Sequence, residues 1–83
     1  MSVYNAFKVM DDEENVIATV WWTGTKMESD DPAFLEGLKD HCVAGLSYGA
    51  GKEFFDKIPS IYRSGYMYTR KAKVDSNGKL VQD

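Results

Sequence analysis

VIATVWW, residues 16–22, decides the fold. Successive side chains of an extended chain point to opposite faces. Val16, Ala18, Val20 and Trp22 therefore share one face, and Ile17, Thr19 and Trp21 the other. Upstream, VYNAFKVM (3–10) is rich in strand formers and puts Val3, Asn5, Phe7 and Val9 on one face. The polar run DDEEN (11–15) between the two predicts a five-residue loop, and the three pieces together a β-hairpin. Downstream, Thr23-Gly24-Thr25 reads as a turn and residues 26–29 as a short third strand.

A helical region follows. Pro32 suits a first helical turn, and Asp31 before it suits the N-cap. Phe34, Leu35, Leu38, Cys42 and Leu46 fall at helical spacing, so the spacing predicts a helix that buries Cys42 and ends at Gly45. Residues 47–51 form a loop. Phe54, Phe55, Ile58, Ile61 and Tyr62 mark a second helix, which Pro59 breaks near Ile58 and Gly65 ends. YMYTRKAKV (66–74) reads as a long last strand, followed by a turn at 75–78 and a short returning strand or frayed tail. The order ββ(β)ααβ predicts a two-layer α+β domain: an antiparallel sheet, the last strand beside the first, with two helices on one face. All 83 residues form one domain, with strands in 1–29, two helices in 30–64 and the last strand and tail in 65–83.

Length and charge exclude much. A 9.4 kDa chain cannot hold a Rossmann unit with a substrate domain, a TIM barrel or a kinase. The net charge of −3 is too mild for a DNA mimic and argues against generic nucleic-acid binding. A single cysteine permits no internal disulfide, which points to a reducing cytoplasm. MSVYNAFKVM has no basic segment leading into an apolar run, so no signal peptide is expected, and the uncharged stretch 15–25 is far too short to span a membrane.

No catalytic or ligand-holding set is complete. Gly49-Ala50-Gly51-Lys52 lacks the first glycine of a phosphate loop, has Glu53 where the hydroxyl belongs, and joins two helices. His41 and Cys42 are adjacent, so on a helix they point about 100° apart. One His and one Cys leave a zinc ion short of ligands. Asp11 to Glu14 lack the calcium-loop pattern. No enzyme activity, cofactor or metal is therefore expected.

Three surfaces remain. Alternation sends one of Trp21 and Trp22 into the core and the other to the open face of the sheet, where Ile17 would complete an apolar contact patch for a protein partner or a second copy. Residues 57–83 carry six Lys/Arg against two Asp/Glu, whereas residues 1–56 carry four against eleven. Tyr66, Tyr68, Arg70, Lys71 and Lys73 interleave aromatics with cations, the pattern of a nucleic-acid stacking surface, although no RNP consensus is present. Burial of apolar area favours the opposite arrangement, with the tyrosines under the helices and the lysines on the open face. The third surface is a small-ligand pocket near the 47–52 glycine loop.

VIATVWWTGTKMESDDPAFLEGLKDH, together with FFDKIPSIYRSGYMY, resembles small open reading frames common in bacteriophage and marine environmental sequence. The likeness runs over residues 3–74. It implies a small accessory protein of phage type and transfers no functional residue. The reading as a whole is a non-enzymatic, cytoplasmic interaction module that binds a protein partner or itself, with nucleic-acid association through the last strand as the alternative and small-ligand binding as the second.

Overall fold

A computed structural model describes residues 3–62 and 67–81. Its main sheet has four antiparallel strands in the order β3-β2-β1-β6, where β1 is Val3–Asp11, β2 Val16–Trp22, β3 Met27–Ser29 and β6 Met67–Asp75. Two short helices, α1 (Pro32–Leu38) and α2 (Lys52–Asp56), cover one face, so the protein is a small α+β domain.

The hairpin forms where the alternating runs require it. Asp11 organises the loop between β1 and β2: its carboxylate accepts from the amides of Glu13 and Asn15, both at 2.9 Å, while Glu14 takes a left-handed φ of 66°. The register slips once, since Val9 faces Ala18 but Met10 faces Val16. Ile17 is the extra residue of this β-bulge, and strict alternation therefore ends there.

The helical layer packs Leu38, Phe54, Phe55 and Ile58 onto Phe7, Val20 and Met27. The Phe7 and Phe55 rings lie 5.0 Å apart and tilted, a favourable aromatic geometry. Each fully buried side chain of this set contributes about 1.5–3 kcal/mol. Asp31 caps α1 by accepting from the amides of Ala33 (3.0 Å) and Phe34 (3.2 Å). Pro59 falls in a 3-10 turn, Ile58–Ser60, just beyond α2. The expected helix ends, Gly65 and its neighbours, lie outside the described residues.

The first helix is much shorter than its apolar spacing implies. It ends at Leu38, and Cys42 is not in the core: it is exposed on β4 (Cys42–Val43), which pairs with β5 (Leu46–Ser47). Two features override the spacing. Gly37 weakens the last helical turn. Ala44 and Gly45 both take positive φ (53° and 80°), as a two-residue type I′ hairpin turn requires.

A second, smaller core lies on the other face of the sheet. Trp21, Ala6 and Val74 are buried there, with Tyr4 and Ala72 beside them. The turn after β6 covers them. Asp75 accepts from the amides of Asn77 (2.8 Å) and Lys79 (3.0 Å), Leu80 bridges to Val74, and the Val81 amide donates to the Lys73 carbonyl at 2.8 Å. Gly78, at φ 81°, rests on the Trp21 ring so closely that a Cβ would come within 2.6 Å of it. A side chain at Gly78 would meet both left-handed strain and overpacking.

Gly78→Ala should therefore destabilise the fold by roughly 2–4 kcal/mol, read as a lowered Tm, and should open Trp21 to acrylamide quenching. Asp31→Ala should cost about 0.5–2 kcal/mol through the lost cap. Cys42→Ser, at an exposed position, should stay within about 0.5 kcal/mol of the parent in the same thermal melts.

Candidate functional site

The two tryptophans do not form an exposed patch. Trp21 stands on the face away from the helices, as alternation dictates, but is only 6% exposed beneath the C-terminal turn. Trp22 is half-buried on the helix face, 6.2 Å from the Phe55 ring centroid. Of the expected patch, Ile17 alone is exposed, at the bulge. The glycine loop likewise closes on itself. Tyr48 packs 6.0 Å from Phe54, and Gly51 approaches the Trp22 ring, so the loop packs against the edge of the core. His41 meets Tyr62 edge-on. Among the described residues no group of three or more His, Cys, Asp or Glu side chains converges, and no helix is long and apolar enough to cross a membrane.

The basic strand is where the structure departs most from expectation. Directly paired residues of an antiparallel sheet share a face. Lys8 faces Arg70 and Met10 faces Tyr68, so Tyr68 and Arg70 stand on the face away from the helices. Phe7 faces Lys71 and Asn5 faces Lys73, so both lysines stand on the helix side. The arrangement favoured by buried apolar area, tyrosines under the helices, is overturned. Its physical premise fails because the helical layer reaches β6 only through the Ile58–Ser60 turn, and no described β6 side chain joins the main core. Tyr66 lies outside the described residues.

Between α2 and β6 runs a cleft of about 290 Å³. Phe7 and Phe55 form its apolar floor, Asn5, Lys71 and Lys73 line the sheet side, and Asp56 lines the helix side. Asp56 is already engaged, with Lys52 Nζ 2.7 and 2.9 Å from its two oxygens. Lys71 and Lys73 enter no ion pair among the described residues. Two lysines lining a cleft with two phenylalanines suit an anionic group carried on an apolar body.

The cleft adjoins a strand edge. The Lys73 carbonyl and the Asp75 amide point away from β1, to Val81 and Lys79. By the two-residue repeat of an antiparallel ladder, the backbone groups of Met67, Thr69 and Lys71 point the same way. Over 67–72 no described residue pairs with that edge. On the other face Arg70 binds Glu14 at 3.0 Å and lies 5.9 Å from the Tyr68 ring. The acidic 11–14 loop flanks this end of β6, since Asp11 faces Met67. Asp11 is held below the ordinary carboxyl value of 3.8, chiefly by the Asn15 amide, so it stays charged and its contribution to the loop fades only as pH falls below that value.

No protein-family model, curated protein or solved structure matches this chain. The class that fold and site define is a small α+β domain in which, among the described residues, the outer edge of β6 lies open over 67–72 beside a cationic cleft.

Neither lysine supports the fold. Lys71→Gln with Lys73→Gln should leave Tm unchanged to within about 0.5 kcal/mol of stability, measured by thermal melts at low and high salt.

Proposed function

We propose that this chain is a non-enzymatic binding module whose working surface is β6, and that a partner protein adds an extended segment along residues 67–72. The observation that carries this reading is the edge of β6 over 67–72, unpaired among the described residues, running beside the Phe7–Phe55 cleft. Main-chain hydrogen bonds to an edge supply affinity, and pockets alongside it supply selectivity for alternate side chains. A second copy is a poor occupant. Lysines on an edge strand are a common device against sheet-to-sheet pairing, and a paired copy would bring another Arg70, Lys71 and Lys73 into one ribbon. A phosphate chain is also a poor occupant, because Glu14 neutralises Arg70 and the 11–14 loop adds negative charge at the Tyr68 end.

Selection from a random-peptide display library, followed by NMR titration of the isotope-labelled full chain, tests this. Selected peptides should shift the amide signals of Thr69 and Lys71 and slow their hydrogen exchange. Thr69→Pro should abolish binding and lower Tm only modestly, since an outward-facing edge N–H is where a strand tolerates proline. Peptides that map to another surface, a library that yields no binder, or salt-sensitive oligonucleotide binding at β6 in place of peptide binding would each overturn the proposal.

A further inference from the structure

The chemistry of the partner segment follows from charge, given the edge-binding reading above. The chain carries 13 Asp/Glu against 10 Lys/Arg, yet among the described residues only Arg70 of the β6 cations is paired with an acid, and Lys71 and Lys73 are not. The ion pairs of the described residues join Lys26 to Glu28, Lys39 to Glu36, Lys52 to Asp56 and Arg70 to Glu14. Asp56, the one carboxylate that lines the cleft, already holds Lys52 through both oxygens. Lys71 and Lys73 stand two residues apart on one face, and both line the same cleft.

We propose that the segment received by β6 is acidic, with a carboxylate on the residue opposite Lys71, where the ammonium groups of Lys71 and Lys73 hold it between them. The register supports this placement. Among the described residues the tail occupies the edge as far as Lys73, through the Val81 amide, and the stretch that stays unpaired among them, 67–72, has Lys71 near its end. A residue directly opposite Lys71 has its Cβ about 5 Å from that of the lysine, and Lys73 is its diagonal neighbour at about 7–8 Å, within reach of a long side chain. The lysines that disfavour a second copy thus favour a segment of opposite charge.

The test uses peptides selected on the full chain and the charge-reversed variant Lys71→Glu with Lys73→Glu, whose unchanged melt is checked first. Selected peptides should be enriched in Asp and Glu. Replacing the acid opposite Lys71 by Gln should weaken binding about tenfold, and raising salt should weaken the acidic peptide but not its Gln counterpart. A peptide with Lys at that position should bind the charge-reversed variant better than the parent. Neutral or basic peptides that bind the Thr69 and Lys71 amides, or acidic peptides indifferent to charge reversal, would overturn this inference while leaving edge binding intact. Failure of every peptide to reach β6 would remove both.

Discussion

Strand β1 has a partner on each side, and one of them comes from the far end of the chain. Nine residue pairs, from Val3 opposite Asp75 to Asp11 opposite Met67, tie it to β6. Closing a loop of that length is entropically unfavourable, though the cost grows only slowly with length. The ladder repays it by making β1 central and by burying both of its faces: Phe7 and Val9 toward the helices, Ala6 and Met10 away from them. It also fixes the face on which every β6 side chain stands, so the cleft, the free edge and the second core all follow from this one register.

The second core explains why so few residues suffice. A single helical layer over four strands would leave Trp21, Ala6, Ala72 and Val74 in water. The turn at Asp75 folds the tail back over them, and a handful of residues seals the face that a second helical layer would otherwise have to cover. On the helix side only the Ile58–Ser60 turn reaches β6, and Lys71 and Lys73 stand there in place of apolar residues.

Much of this was legible before any coordinates. Alternation in residues 18–22, Asp31 before Pro32 and the break at Pro59 each act locally, and each forms as read, while the bulge at Ile17 and the extension of β1 through Asp11 alter the hairpin's end. Cys42 was misplaced because Leu38, Cys42 and Leu46 imitate a helical stripe, while the competing signal was a left-handed turn at Ala44-Gly45, whose first residue is not a turn specialist. The covering of Trp21 could not be read from its own segment, since it depends on Gly78, far away in sequence. The facing of Lys71 and Lys73 depends on strand register and on how far the helices reach, neither of which a single strand encodes. Thr69, Lys71 and Lys73 on one side of β6, set against Ala72 and Val74 on the other, was the available hint that the helix side is the wet one.

The β1–β6 ladder also bears on synthesis. A chain emerging from the ribosome N-terminus first presents its first two strands early, but the partner for the outer edge of β1 is made last. Until residues 67–75 appear, the strand that ends up in the middle of the sheet is itself an edge, with Phe7 and Val9 on one face and Ala6 and Met10 on the other. Non-local strand pairings are slow to form, and unpaired apolar edges are the usual origin of aggregation during folding. The nascent hairpin is therefore a stage at which the inner strand of the finished sheet still stands as an open apolar edge.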